Sequence, residues 1–190
     1  MHDEVFNKKL IDYFLYKREE IKKKFNRVLP AGEYIFDRYE KARYLGAGEG
    51  TSIYDTSIIM GDIDIGKNVW IGPYTLLEGI NDKITIGNNV SVDSGVKIYT
   101  HDTTKFMVSG GVNDVERGPV SIGDNTVIGT MTTVKHNVKI GKCCVIGAHS
   151  FVNKDIPDYS VAFGVPVSIV GRVVIDDSGK CSFVYGQDYD

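Results

Sequence analysis

Aliphatic residues recur along this chain with a six-residue beat. They fall at Ile53, Ile59, Ile65, Ile71 and Leu77, then at Ile86, Val92 and Ile98, and again at Ile122, Ile128, Val134, Ile140, Ile146 and Val152. Gly follows many of them, as in Ile65-Gly66, Ile71-Gly72, Ile86-Gly87, Ile122-Gly123, Ile128-Gly129, Ile140-Gly141 and Ile146-Gly147. A small or branched residue usually stands four places on: Val69, Thr75, Val90, Val96, Thr126, Thr132, Val138, Ser150. A helix repeats every 3.6 residues and a flat strand every two, so neither satisfies this beat. A hexad reads instead as a short strand and a turn. Three hexads close one triangular coil, and coils stack as parallel strands roughly 4.8 Å apart. The beat therefore predicts a mainly β protein, a parallel β-helix with its aliphatics stacked inward. Gly, Asn and Asp at the corners, as in Gly87-Asn88-Asn89 and Gly123-Asp124-Asn125, supply the positive φ that such turns demand.

The 190 residues suit one domain with appendages, divided as 1–50, 51–171 and 172–190. Residues 3–28 read as a helix with Phe6, Leu10, Phe14, Ile21 and Phe25 near one face. Its other face is basic, with Lys8, Lys9, Lys17, Arg18, Lys22, Lys23, Lys24 and Arg27. A solvated face packed on the body is the simpler reading, and a membrane surface or an anionic ligand is the other. Pro30-Ala31-Gly32 is expected to end this helix, and residues 34–44 to form a second, short one. The cluster Gly46-Ala47-Gly48-Glu49-Gly50 is not followed by Lys-Ser/Thr, so it is expected to turn the chain into the first coil, not to cradle a phosphate. Arg172 to Tyr185 reads as a hairpin turning at Asp177-Ser178-Gly179, able to cap the open end of the stack.

The formal net charge of −3 gives no nucleic-acid footprint. No apolar run is long enough to span a bilayer, and no apolar segment follows Met1-His2-Asp3-Glu4. Of three cysteines, Cys143 and Cys144 are adjacent, which suits neither a disulfide framework nor a zinc site. Cys144 occupies a small inward position. A cytoplasmic, reduced setting is the expectation.

The beat breaks twice. Gly79 to Lys83 adds residues to one coil, and residues 103–118 form a long excursion containing Gly110-Gly111. Long loops within a compact repeat usually carry function. Of the four histidines, His2 is terminal, and His136 and His149 fall at corner or outward hexad positions where exposure is expected. His101 ends the run Lys97-Ile98-Tyr99-Thr100-His101-Asp102, at the edge of a rigid scaffold where the loop begins. An imidazole held there suits general-base work near neutral pH. Asp102, Asp93 and Glu78 are the candidates to hold its other nitrogen, and the spacing does not choose among them.

The blocks Ile84-Thr85-Ile86-Gly87-Asn88-Asn89-Val90, Val120-Ser121-Ile122-Gly123-Asp124-Asn125, Val152-Asn153-Lys154-Asp155-Ile156-Pro157 and Ala162-Phe163-Gly164-Val165-Pro166, with His101 between the first two, resemble the hexapeptide-repeat acyltransferases of the sugar and xenobiotic acetyltransferase type. The resemblance covers roughly the C-terminal two-thirds of the chain. It implies a left-handed helix, a homotrimer with active sites between subunits, and acetyl-CoA or another acyl-CoA as cosubstrate with no metal. By position it makes His101 the base that takes the acceptor's proton. It gives Gly129 and Thr130 a place by the thioester, where the Thr130 N–H meets the oxyanion. Ala148 lines the pantetheine and Lys154 approaches the phosphates. Thr126-Val127 stands where the family often has Trp, and Ser168 where it often has Arg, which leaves Arg172 as the substitute phosphate contact. Tyr99, Lys105 and Arg117 are candidates to meet the acceptor, a sugar or sugar nucleotide. Members with a helical extension commonly serve surface-polysaccharide or sugar-nucleotide pathways, some acylating a hydroxyl and some the amine of an amino sugar. A neutral amine needs less help from a base, so His101 leans the reading towards a hydroxyl. Two rivals stand beside it. The gamma-class carbonic anhydrases share the coil and bind zinc through three His, but here only His101 and His136 are suitably separated and Gly141 holds the third position. A non-catalytic trimeric scaffold would need neither His101 nor the long loop.

Overall fold

The computed structural model describes residues 2–186, with side chains from Glu4 onward; the His2 side chain and the end of the 172–190 segment lie outside the described residues. The architecture is the expected left-handed parallel β-helix with a helical N-terminal extension and a C-terminal hairpin. On its first face Ser52–Ile53, Trp70–Ile71, Ser91–Val92, Val127–Ile128 and Val145–Ile146 stack in parallel register. On the second, Ile59, Leu77, Ile98, Val134 and Val152 are successive partners. On the third, Ile65, Ile86, Ile122, Ile140 and Ile156 follow one another. Between faces one and two runs an edge made by 54–57, 72–75, 93–96, 129–132 and 147–150. The edge between faces two and three carries both breaks in the beat, 79–83 and 103–118.

The stacked aliphatics form one continuous core, and Ile53, Ile71, Leu77, Val92, Ile98, Ile128, Val134 and Val152 are fully buried. Ile59 and Ile65 are only half-buried. They belong to the first coil, which has a neighbouring coil on one side only. The inward Thr and Ser residues serve the corners. Thr75 Oγ1 donates to the Gly72 carbonyl at 2.7 Å, Thr126 Oγ1 to Gly141 at 2.9 Å and Ser150 Oγ to Gly147 at 2.6 Å. Each hydroxyl pairs a turn carbonyl, and the Gly72 and Gly147 carbonyls take a second hydroxyl from the neighbouring coil, Ser57 Oγ at 2.8 Å and Thr132 Oγ1 at 3.0 Å. On the third edge Asn68, Asn89 and Asn125 adopt φ of 54°, 53° and 58°, and their side chains form a ladder with Nδ2 to Oδ1 distances of 3.2 and 3.1 Å.

Helix α1 spans His2–Phe25 and stops before the Pro30 expected to end it. Asn26, at φ 52°, donates its N–H to the Lys22 carbonyl, the left-handed cap that Asn tolerates. Phe6, Leu10 and Phe25 are exposed, while Phe14 and Ile21 are half-buried. No described helix is long and apolar enough to cross a membrane. The single helix expected over 34–44 is two, α2 (Gly32–Ile35) and α3 (Arg38–Tyr44), because Asp37 leaves helical geometry and accepts the Tyr39 N–H at 2.9 Å as an N-cap. Helix α3 packs on Ser52–Ile53 with Ala42 buried. Its Lys41 reaches into the first edge, where Nζ donates to the carbonyls of Tyr54, Asp55 and Ser57 at 3.1, 2.9 and 2.8 Å. Replacing Lys41 with Met keeps the stem and takes the one side-chain donor from the Asp55 and Ser57 carbonyls, while the Tyr54 carbonyl keeps the Ser57 N–H, so it is expected to cost about 1–3 kcal/mol in urea unfolding; an unchanged midpoint would show that water replaces the ammonium freely.

At the other end, Ser160–Phe163 pairs antiparallel with Ser168–Ile175, which pairs with Cys181–Tyr185. The hairpin begins earlier than residue 172, since the chain already reverses at Gly164-Val165-Pro166. Asp176 Oδ1 ties its turn by accepting the N–H groups of Ser178 and Lys180, both at 2.9 Å. Val167 and Val173 are buried, whereas Cys181–Tyr185 is exposed throughout and extends the sheet.

Candidate active site

The second edge of the prism is where chemistry collects. Glu78, on the strand Leu76–Ile86, pairs in register with Tyr99, one coil on. After Thr100 the chain leaves the coil. His101–Asp102 pairs antiparallel with Glu116–Arg117 to form the base of the long loop. The short helix α4 (Thr104–Val108) lies within it, and Gly110 and Gly111 turn it back with φ of 65° and 89°. The Gly118 N–H donates to the Thr100 carbonyl at 3.1 Å, pinning the loop's two ends together where the coil resumes.

At this exit His101 Nδ1 lies 2.8 Å from Glu78 Oε2. Glu78 is 4% exposed, yet the His101 side chain keeps 30% of its surface open. Burial pushes the Glu78 carboxyl upward, but hydrogen bonds from His101, Thr100 and Ile80 outweigh it and hold the group below the ordinary glutamate value. An ionised carboxylate only accepts, so the proton of a neutral imidazole sits on Nδ1 and the Nε2 lone pair is free. The other two carboxylates are elsewhere. Asp93 lies on the first edge and accepts from Ser91 Oγ at 2.7 Å. Asp102 accepts the Thr104 N–H at 2.7 Å at the head of α4. Among Asp102, Asp93 and Glu78, only Glu78 touches the histidine ring.

Tyr99 is half-buried beside Glu78. Lys105 Nζ is paired with Glu116 Oε1 at 2.7 Å across the loop, and Arg117 stands opposite His101 at its base. Gly129 is buried and its N–H is used by the Ile146 carbonyl at 2.8 Å. Thr130 is exposed, and no hydrogen bond to another described residue engages its N–H. The Thr130 carbonyl accepts from His149 N, which sets Ala148 beside it on the next coil. Thr130 and Ala148 thus line the first edge, whereas His101 and Lys154 lie on the second. Arg172 is exposed on the added strand, opposite Ser160 and Val184. One chain therefore brings Glu78 to His101 and leaves Gly129, Thr130 and Ala148 on a different edge.

Three groups at the site carry no signal in the hexad beat. Thr100 is fully buried and donates Oγ1 to the Glu78 carbonyl at 2.8 Å. Asn81 and the Ile80 N–H hold the second carboxylate oxygen. The one available hint was the extra length at Gly79–Lys83, immediately after Glu78. The third group is His136, which departs from the exposure its position predicts: it is 8% exposed, and its buried Nδ1 has no partner among the described residues. It lies beside the loop's base, where the Asn137 N–H donates to the Gly118 carbonyl at 3.3 Å. Burial pushes the His136 imidazole down, and Lys135 adds to that, against Asp102 and Glu116. Replacing His136 with Phe removes an unmet polar atom, so unfolding stability is expected to hold or to rise by up to about 1 kcal/mol. A clear loss in thermal melting would mean that the ring makes a bond the fold needs. His149 is exposed as expected. No three of the described His, Cys, Asp and Glu residues cluster as metal ligands, and Gly141 lies on the third edge, away from His101 and His136.

Stacked hexads around one continuous core make this a hexapeptide-repeat protein, with a carboxylate-held histidine at one edge. Residues 119–154 match the bacterial transferase hexapeptide (six repeats) family. A galactoside O-acetyltransferase of Escherichia coli is 32% identical over 130 residues, covering 67% of this chain and 61% of that protein. A maltose O-acetyltransferase of Clostridium difficile superposes with a TM-score of 0.55 at 28% identity, over 86% of this chain and 87% of that one. AntD, an N-acyltransferase from Bacillus cereus solved with dTDP and 3-hydroxybutyryl-CoA, superposes with a TM-score of 0.59 over 70% of this chain and 86% of its own, and at 22% identity this is a likeness of fold. The chain spans between 43% and 64% of the length of the curated relatives it matches. The resemblance to hexapeptide-repeat acyltransferases is borne out by these matches.

Proposed function

We propose that the protein transfers an acyl group, acetyl by default, from acyl-CoA to a hydroxyl of a sugar or sugar nucleotide. The observation that carries this reading is the His101–Glu78 pair, whose Nε2 is free and whose ring is open to solvent. An acceptor hydroxyl at Nε2 gives up its proton as its oxygen bonds to the thioester carbonyl carbon. Glu78 stabilises the imidazolium that forms, and the same proton then goes to the departing thiolate as the C–S bond breaks. The Thr130 N–H, unpaired among the described residues, suits the developing oxyanion. Because Thr130 and His101 lie on different edges, the reading includes a homotrimer in which the first edge of one copy, with Thr130 and Ala148, faces the second edge of its neighbour. Lys154 and Arg172 are proposed for the phosphates, and Tyr99, Lys105 and Arg117 for the acceptor. The sugar acceptor is supported by the galactoside and maltose acetyltransferases among the relatives. A cytoplasmic role in building surface polysaccharide or sugar nucleotides belongs to the same proposal.

The test is thiol release from acetyl-CoA by the purified protein against a panel of simple sugars, amino sugars and sugar nucleotides. Turnover with a hydroxyl acceptor supports the reading. Turnover confined to amino sugars moves it to N-acylation, and no release with any acyl-CoA overturns it.

A further inference from the structure

The carboxylate that holds His101 is itself held by a part of the chain that the hexad repeat does not supply. Glu78 divides its two oxygens. Oε2 takes His101 Nδ1 at 2.8 Å and the Thr100 N–H at 3.3 Å, while the Thr100 hydroxyl gives its one proton to the Glu78 main-chain carbonyl. Oε1 takes the Ile80 N–H at 3.0 Å and Asn81 Nδ2 at 3.3 Å. Both donors to Oε1 come from the Gly79–Lys83 excursion. The excursion is tied down in turn. The Asp82 N–H donates to Thr100 Oγ1 at 3.3 Å, and Lys83 Nζ pairs with Asp64 at 2.6 Å and Asp62 at 3.8 Å.

From this division we infer that Asn81 is a positioning residue for the His101 base: its amide anchors the far oxygen of Glu78 so that the near oxygen keeps the imidazole proton on Nδ1. The inference rests on the acyl-transfer reading for its purpose, though not for its geometry. A carboxyl as buried as Glu78 favours its neutral form unless donors surround it. A protonated Glu78 can donate to Nδ1, which would place the imidazole proton on Nε2 and remove the base. The side-chain amide of Asn81 is the donor here that substitution can remove, since Ile80 contributes only its backbone.

Asn81→Asp puts an acceptor and a negative charge where the donor stood, beside Glu78 and near His101, with Lys83, Asp82, Asp62 and Asp64 the other charges of the excursion and its partners. The measurement is an NMR titration of the His101 imidazole nitrogens in the wild type, Asn81→Asp and Asn81→Ala, which needs no substrate. In Asn81→Asp the His101 midpoint is expected to rise by about one pH unit. The acid limb of kcat/KM should follow it, with KM for acetyl-CoA unchanged. In Asn81→Ala, carbon-detected titration of the Glu78 carboxyl is expected to show a raised midpoint. A His101 titration and a Glu78 titration that both coincide with the wild type would overturn the inference. Shifted titrations in a protein without acyl transfer would sink the proposed reaction and leave the positioning role intact. Acyl transfer with unshifted titrations would do the reverse.

Discussion

Replacing His101 with Ala is expected to lower kcat for acylation of a hydroxyl by about 10²- to 10⁴-fold, the usual worth of a positioned general base. KM for acetyl-CoA should stay near the wild-type value, because Gly129, Thr130 and Ala148 lie on another edge and Lys154 stands two coils away from His101. The fold should tolerate the change. His101 is at the mouth of the loop, its ring is partly open, and its one side-chain partner among the described residues is Glu78. The variant does leave Glu78 buried without that partner. Circular dichroism and urea unfolding therefore belong beside the kinetics, to separate a lost base from a loosened edge. Steady-state thiol release by both proteins on the same acceptor decides the matter. A variant that keeps full activity on a hydroxyl would remove His101 from the chemistry.

Gly61→Ala is expected to be among the most damaging single changes in the coil, although it adds one methyl group. Gly61 has φ +84°, and a Cβ there would run into the backbone of Gly79 and Ile80 in the next coil. The left-handed conformation alone costs a non-glycine residue about 1 kcal/mol, and displacing packed backbone raises the total to about 3 kcal/mol. Gly46 supplies the control. It has φ +73° with nothing within 4 Å of an added Cβ, so Gly46→Ala should show the conformational cost alone. Urea unfolding of both variants reads the difference. Since Gly79 and Ile80 lead from Glu78 into the excursion, Gly61→Ala should also reduce turnover in the fraction that folds. Equal losses at 61 and 46 would mean that the coils part without resistance.

Much of this fold was legible because a hexad repeat names its inward positions directly. From Ile71 onward, every aliphatic on the beat is buried. Legibility failed where one element decides the fate of another. Glu78 could not be told from Asp93 and Asp102, because the pairing depends on which residue of one coil stands beside which of the next. Asp102 is adjacent to His101 in sequence and is turned away to begin α4. His136 occupies an outward hexad position, and its burial comes from the folded-back base of the loop, which no local pattern reports. The helical boundaries were misplaced for simpler reasons. Asn26 caps α1 before Pro30 is reached, and Asp37 starts a new helix within a stretch that reads as one.

Both excursions leave the prism along the same edge, and neither disturbs the strands beside it. Leu76 to Glu78 pairs with Lys97 to Tyr99, and Ile84 to Ile86 pairs with Val120 to Ile122, on either side of the inserted residues. Length and composition of the long 103–118 loop are thus uncoupled from the stacking that holds the molecule together, whereas 79–83 is tied to Glu78 and to the coil before it. A lineage built on this frame can trade the long loop for another above a fixed histidine, and so, on the proposed reaction, change the acceptor, without having to solve the folding problem again.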